Sequence, residues 1–320
     1  MARFRCEVVV EALPRRWFEE CVDALYERAG RLELDGDGWI RDIEQHADVA
    51  LVEGEHLTAG ARYQWHVDRV GEDGEPQDRG GTTTEVVLRS WERHGLVSAE
   101  GETWLDDGGL ATWTAHLHSP ARAETVRAGG SYRGVKRWQR LSWAARLDAG
   151  RWWTATEGRE RLGRSWPSWA KGRGRLGWSW PSWAKGPGRL GRSANGRGRR
   201  RAEAFTAALR HPLGEGVLRL SPAAAPDGRW RVVVTLTVRG RGWARPVAAA
   251  ALPAARRRLE DAFGKAVRRA VQEWDETVRE LRGHDPREVD AWLAVLEARL
   301  RAENAELDRW IAGQDTTTAP

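Results

Sequence analysis

The stretch that most constrains the fold lies at 229–281, where a strand pattern passes into a long helix pattern. Between 230 and 238 apolar residues occupy every second position, which predicts a β-strand with one buried face. After a turn that contains glycine and proline, apolar residues recur at helical spacing as far as Leu281. This periodicity predicts an amphipathic helix over 253–281, about 40 Å long at a rise of about 1.5 Å per residue. We expect this helix to lie across a sheet as the lid of the domain.

The earlier part of the chain predicts the rest of that sheet. Residues 4–10 alternate apolar and polar side chains, and a helix pattern follows at once from Pro14. Further alternating runs are separated by Asp-Gly and other glycine-bearing turns, as an antiparallel meander requires. These runs cover 49–53, 63–67, 83–91, 110–118 and 216–220.

Two parts of the chain resemble a known family. One comprises the strand at 232–238, Arg245-Pro246 and the helix start at 256–260; the other runs from Trp39 to a strand at 61–65 with the sequence Ala-Arg-Tyr-Gln-Trp. Together they resemble the START-like (SRPBCC) helix-grip superfamily, which includes polyketide cyclases and lipid-transfer domains. The resemblance implies an α+β helix-grip fold, a curved antiparallel sheet of about six or seven strands wrapped on a long C-terminal helix.

The resemblance also implies a cavity between the sheet and the long helix that is open to apolar ligands. A solid core would place the same side chains inward, since burial alone stabilises each of them by about 1.5 to 3 kcal/mol. The residues that would line the cavity are Tyr63, Trp65, Trp113, Trp230, Val234, Leu236, Phe263, Val267 and Trp274.

The region 121–212 departs from the family pattern because it lengthens the chain before the final strands. Inside it a fourteen-residue sequence at 161–174 recurs at 175–188 with two changes, and a third copy begins at Arg189. Its Gly, Pro, Ser and Arg content predicts a disordered, low-complexity insertion at 161–201. The predicted organisation is therefore a first part of the helix-grip domain at 1–120, the insertion at 121–212, the last strands and long helix at 213–282, an additional amphipathic helix at 283–313, and a disordered tail at 314–320.

Charge is concentrated in the same insertion. Residues 159–201 contain thirteen Lys and Arg and one acid, so that they carry +12, whereas the whole chain carries +6. Tryptophans interleaved with these cations could stack on bases while the cations contact phosphates, which makes a nucleic acid or an anionic partner an alternative ligand. The cations proposed for that role are Arg164, Arg173, Arg175, Arg197, Arg199, Arg200 and Arg201.

No pattern in the chain identifies a catalytic or cofactor site. His116 and His118 share a strand face with threonines, and no cysteine or nearby acid completes a metal site, so we expect no metal and no cofactor. Cys6 and Cys21 are expected to be buried thiols rather than a disulfide pair. No histidine accompanies a nucleophile motif, and no phosphate-binding loop is present.

The start of the chain has no signal-peptide pattern, and no run of about 18 apolar residues occurs, so a cytoplasmic protein without a membrane span is expected.

Three functions remain open at this point. The first is the binding of a small hydrophobic ligand, lipid or polyketide-like. The second is an aromatase or cyclase activity on a similar molecule, and the third is a non-enzymatic interaction through the basic insertion. The C-terminal helix could also join two copies of the chain in a homodimer.

Overall fold

The computed structural model describes residues 1–40, 48–70, 76–105, 108–122, 124–136, 138–157, 203–296 and 298–299. The described strands form one antiparallel sheet in the order β1-β11-β10-β9-β8-β7-β6-β5-β4-β3-β2, so β1 and β2 are its two edges and the sheet is open. The strands are β1 Ala2–Val10, β2 Asp48–Glu53, β3 Arg62–Val70, β4 Pro76–Trp91, β5 Leu96–Trp104, β6 Leu110–His118, β7 Thr125–Arg133, β8 Arg140–Asp148, β9 Phe205–His211, β10 Gly214–Ala224 and β11 Trp230–Gly240. The helices are α1 Arg15–Ala29, α2 Ala149–Thr156, α3 Ala244–Leu281 and a further helical stretch, α4, at 289–296, with a 3-10 turn at Pro120–Arg122.

The predicted fold class is wrong, because a helix-grip sheet of about six or seven strands understates a sheet of eleven. The four strands that the sequence did not predict are β5, β7, β8 and β9. Three of them lie within 121–212, the region interpreted as an insertion, and they pair in register with the strands on either side. The remaining insertion residues 158–202, which include the fourteen-residue repeats, lie outside the described residues.

Pairing across the sheet sets which side chains share a face. Directly opposed residues of neighbouring strands lie on the same side, so each register position defines a row that crosses the sheet. One such row is Phe4, Leu236, Leu218, Ala207, Ala145, Ala128, Ala115 and Ala99. We call the side that carries this row the helix side, and the opposite side, which carries Arg5, Thr235 and Arg219, the polar side.

The main core lies on the helix side at the β1 edge. There α3 packs against β1 and β11, and α2 packs against β10. Trp230 is the centre of this core. Its ring centroid lies 5.4 Å from that of Trp153, 5.5 Å from that of Trp152 and 6.1 Å from that of Trp274. We call this region the closed end; its buried residues are Val10, Leu13, Ala149, Trp153, Trp230, Val232, Val234, Val267 and Val278.

The long helix begins at Ala244 and not at Pro253, the start predicted from the sequence. Pro253 therefore lies inside the helix, where it removes one backbone hydrogen bond. Residues 244–262 include no buried position, so water can satisfy the carbonyl that loses its partner. Proline most often occupies the first helical position, which is why the sequence predicts a start at Pro253, but an exposed helical segment tolerates proline further in.

The predicted C-terminal helix is described only as far as residue 299, apart from residue 297. Its apolar residues Val289 and Trp292 are buried against Cys21 of α1 and Leu281 of α3. The indole of Trp17 also donates a hydrogen bond to the carbonyl of His284 at 3.2 Å. This part of the apolar stripe is therefore buried within the chain; residues 300–320 lie outside the described part.

Candidate ligand-binding face of the sheet

The predicted cavity residues fall into two groups on the helix side. Trp230, Val234 and Val267 are buried in the closed end, and Phe263 packs against them. Trp230, Val234, Val267 and Phe263 thus form part of a packed core. Trp274, which is 38% exposed, lies at its border with its ring tilted by 33° to that of Trp230, and it donates its indole N–H to the carbonyl of Glu11 at 2.9 Å.

Leu236 lies in register with Phe4 beside that core, whereas Tyr63, Trp65 and Trp113 lie on β3 and β6, toward the opposite edge of the sheet. The structure thus does not bring the nine residues together around one space. Their predicted role in ligand binding stays a prediction.

Tyr63 belongs to a polar pair that fixes a loop. Its hydroxyl oxygen accepts from the backbone N–H of Leu57 at 2.8 Å and lies 3.0 Å from Nδ1 of His56. Nε2 of His56 lies 3.1 Å from the carbonyl of Ala29, which can only accept, so Nε2 carries the proton and Nδ1 accepts from the tyrosine. Burial raises the pKa of Tyr63. Both partners are therefore engaged in holding the loop at 54–60, where Leu57 has φ of +58°.

The middle of the helix side carries a row of small residues. Ala99, Ala115, Ala128, Ala145 and Ala207 lie side by side on β5, β6, β7, β8 and β9. All five are partly exposed, in contrast to the buried residues at the closed end. Because α3 lies against β1 and β11, and α2 lies mainly against β10 with a few contacts to β7, these helices leave this row partly open.

The next row alternates glycines with tryptophans and ends in a leucine. Gly101, Trp113, Gly130, Trp143 and Leu209 are paired in that order across β5 to β9. A Cβ atom at position 101 would lie 2.5 Å from the indole of Trp113, and one at position 130 would lie 2.9 Å from Nε1 of Trp143. Only glycine leaves room for the two rings to lie against the neighbouring strand.

The two rows form one apolar surface, which we call the open face. Leu209 at its β9 end is 49% exposed, and the two indoles are partly exposed. A third row of Val97, Leu117, Val126 and Leu147 borders the alanines. The open face consists of Ala99, Gly101, Trp113, Ala115, Ala128, Gly130, Trp143, Ala145, Ala207 and Leu209.

The open face arises from a sequence motif that occurs twice. β5 and β7 both read Val-x-Ala-x-Gly, at 97–101 and 126–130, and β6 and β8 both read Trp-x-Ala-x-Leu, at 113–117 and 143–147. The two hairpins β5–β6 and β7–β8 therefore present the same side chains to the helix side. This repeat is the signal that could have found the face in the sequence, but alternating alanine and glycine do not stand out as a strand pattern.

The polar side behind the open face carries a cluster of basic groups. His116, Arg127 and Arg146 are directly opposed on β6, β7 and β8. Burial, and then the charge of Arg127, lowers the pKa of His116 and of His118. Among the described side chains, no three of His, Cys, Asp and Glu come together as ligands for a metal ion.

A cleft of about 980 Å³ lies between α1 and α4. Its charged side chains neutralise one another: Arg28 pairs with Asp290 at 2.8 Å and Arg93 with Asp23 at 3.1 Å. Five acidic side chains and four arginines line the cleft, so it is a mainly charged surface, unlike the open face.

Within the described part of the chain, no helix is both long and apolar enough to cross a membrane. Comparison of the chain with family models, with curated proteins and with solved structures finds no match.

Proposed function

We propose that the chain binds a small hydrophobic molecule, lipid or polyketide-like, on the open face. The observation that carries this proposal is the alanine row, where five strands place side chains no larger than a methyl group and leave them partly exposed. A sheet face that served only as core would be filled with larger side chains and covered. Small residues leave room above the sheet for a ligand.

The neighbouring row favours a flat or extended apolar ligand. Trp113 and Trp143 lie against glycines of the adjacent strands and supply aromatic surface beside the alanines. Aromatic rings prefer offset stacking with other planar groups, and apolar area removed from water contributes about 25 cal/mol per Å². The three rows of the face and its border carry no charged side chain, so the bound part of the ligand is uncharged.

The test compares native with denaturing mass spectra of the full chain and of two matched variants. Ala145→Trp fills the centre of the open face, whereas Ala144→Trp places the same side chain one residue away on the polar side. We expect an apolar molecule to accompany the wild type and Ala144→Trp and to be lost from Ala145→Trp. Circular dichroism and thermal unfolding confirm that both variants fold.

A binding assay with an apolar fluorescent probe covers the case in which the ligand is lost during purification. Probe binding that Ala145→Trp leaves unchanged would contradict the proposal. The softer variant Trp143→Ala, which removes aromatic surface without adding volume, should also weaken probe binding.

Neither alternative function gains a specific observation. A cyclase needs a polar pair that can reach a substrate, and Tyr63 and His56 are already bonded to each other and to the backbone. The arginines proposed to bind nucleic acid or an anionic partner, 164 to 201, lie outside the described residues. The resemblance to the START-like superfamily stays a prediction.

A further inference from the structure

The second charged region of the molecule lies where β11 ends and α3 begins. Residues 239–259 contain six arginines and no acid. We call this segment the basic arm; its arginines are Arg239, Arg241, Arg245, Arg256, Arg257 and Arg258. It is separate from the basic insertion and lies entirely within the described residues.

The beginning of the basic arm forms a pocket with excess positive charge. Nε of Arg239 lies 2.5 Å from the carboxylate of Glu215, and Nε of Arg241 and of Arg210 lie 3.8 Å and 3.9 Å from it. Arg245 lines the same pocket of about 580 Å³. The carboxylate of Glu215, with its side chain 8% exposed, thus lies among three guanidinium groups, and that of Arg245 lines the same pocket. An anion in the pocket would relieve the repulsion among them.

The start of α3 adds to this positive potential. The first turn of the helix contains no acidic residue, and no side chain caps it. A helix N-terminus carries a partial positive charge, so Arg241 and Arg245 stand where cations are unfavourable in the absence of an anion. The pocket and the helix end therefore favour the same kind of ligand, a phosphate or carboxylate group.

Exposed apolar side chains lie at the same end of α3 as this pocket. Trp243 is 75% exposed and Val247 is 60% exposed, and they are one helical turn apart. Ala248, on the neighbouring face of the helix, approaches Gly240 at the end of β11. Trp243 and Val247 are four positions apart, which places both side chains on one stripe of the helix. Arginines precede and follow this pair along the chain.

We propose that the basic arm docks on the surface of an anionic lipid bilayer. Trp243 and Val247 enter the interfacial region, where tryptophan is favoured, and the arginine pocket binds a phosphate of a lipid headgroup. Charge complementarity favours an anionic surface, and the exposed aliphatic side chain of Val247 favours lipid over nucleic acid, since bases stack on aromatic rings and phosphates need no apolar contact. The docking does not depend on the proposed function, since no residue of the open face belongs to the arm.

The main test places an environment-sensitive fluorophore at position 247. Val247→Cys is labelled in the full chain with Cys6 and Cys21 replaced by alanine, and Val135→Cys, at a position that is 74% exposed on the β7–β8 turn, is the matched control. The probe surfaces are vesicles of phosphatidylcholine alone and vesicles that also contain phosphatidylglycerol. We expect a blue shift at position 247 with the anionic vesicles only, and no shift at position 135.

Vesicle flotation with unlabelled full-length variants provides a second readout. Arg241→Gln with Arg245→Gln should weaken binding to the anionic vesicles about twenty-fivefold, at roughly fivefold per arginine near the surface. The control, Arg268→Gln with Arg279→Gln, removes the same charge from exposed positions in the other half of α3 and should have a much smaller effect. Trp243→Ala should weaken binding, whereas Trp138→Ala, at a position that is 61% exposed on the β7–β8 turn, should not.

Several outcomes would overturn the docking. An unshifted label at position 247 while the protein floats with the vesicles would place the contact elsewhere, for example on the basic insertion. If the arginine variant and its control lose vesicle binding equally, binding depends on the net charge of the protein and not on a site in the basic arm. Binding to RNA or to inorganic phosphate without any vesicle-induced shift at position 247 would assign the pocket to a soluble anion. Since the ligand test uses Ala145→Trp and this test uses the basic arm, the two can fail separately.

Discussion

The two ends of the helix side share one sheet and one register but differ in what covers them. At the closed end the row begins with Phe4, Leu236 and Leu218, and Phe4 is only 3% exposed beneath Phe263 of α3. From β9 to β5 the same row consists of alanine, and it ends at Leu88 of β4. In this row the side chains are large on β1, β11 and β10, against which α3 and α2 mainly pack, and small from β9 to β5.

This difference indicates that the open face is not simply a core surface that lacks its covering helix. A face that only lacks a covering helix would be expected to carry polar side chains, since antiparallel sheets usually turn polar residues to water. Here strands β5 to β9 keep apolar residues, with alanine throughout the central row and Trp113, Trp143 and Leu209 in the row beside it. Apolar character without bulk suits a surface that is covered only when a ligand is present.

The largest expected effect is a loss of stability when a tryptophan is removed from the closed end. Trp230→Ala should lower the free energy of unfolding by about 3 to 5 kcal/mol, because Trp230 is 5% exposed and a cavity would remain among Trp152, Trp153 and Trp274. Trp143→Ala on the open face should cost about 1 to 2 kcal/mol, because Trp143, unlike Trp230, is not fully buried. Urea unfolding followed by circular dichroism measures both.

Equal costs in unfolding free energy for the two substitutions would contradict the difference between the closed end and the open face. They would mean that Trp143 is as fully packed in solution as Trp230, and the open face would then be core. If adding an apolar ligand increases the loss of unfolding free energy caused by Trp143→Ala, the difference is supported, since the ligand would cover the ring.

The sequence could predict the closed end and not the open face, and the reason lies in the side chains themselves. β1, β11 and the long helix carry large apolar residues at clear periods, so their pattern predicts strand, strand and helix. β7 contains Ala128, Gly129 and Gly130, and β9 reads Phe-Thr-Ala-Ala-Leu-Arg-His, which favours a helix as much as a strand. The residues that open the face also weaken the strand signal.

Long-range pairing explains the rest of what was missed. A strand such as β9 is stabilised by its neighbours β8 and β10, which come from residues on both sides of 158–202 in the chain. Propensity over a few residues contains no information about such partners, and tertiary context overrides it. The candidate site could therefore be recognised only once the register placed Ala145 and Ala207 side by side.

A smaller effect is expected when the same methyl group is enlarged at the two ends. Ala149→Leu at the closed end should cost about 1 to 3 kcal/mol, since Ala149 is 3% exposed and the added atoms have no room. Ala128→Leu on the open face should change the free energy of unfolding by no more than about 0.5 kcal/mol, because the longer side chain extends into open space. Urea unfolding midpoints at constant slope measure the difference. A large cost at Ala128 would show that the space above the alanine row is occupied in the isolated protein.

The smallest expected effect concerns the polar side behind the open face. Burial and the charge of Arg127 on β7 lower the pKa of His116 and His118 below 6.5, with Arg146 on β8 also opposing protonation of His118, and with Glu100 on β5 and Glu124 acting in the opposite sense. The unfolded chain therefore binds protons at these histidines more readily than the folded chain. Their contribution to stability is complete above pH 6.5 and is lost as the pH falls through the lower folded values.

The pH dependence can be separated from that of the carboxylates by comparing variants. His116→Gln with His118→Gln should reduce the fall in the urea midpoint between pH 7.5 and pH 5, whereas His94→Gln, at an exposed turn position, should leave it unchanged. If the double variant shows the same fall as the wild type, the histidines titrate alike in both states, and the polar side of β6 is then open to water. In that case water would reach both sides of the sheet at β6, and only a bound ligand would exclude water from the open face there.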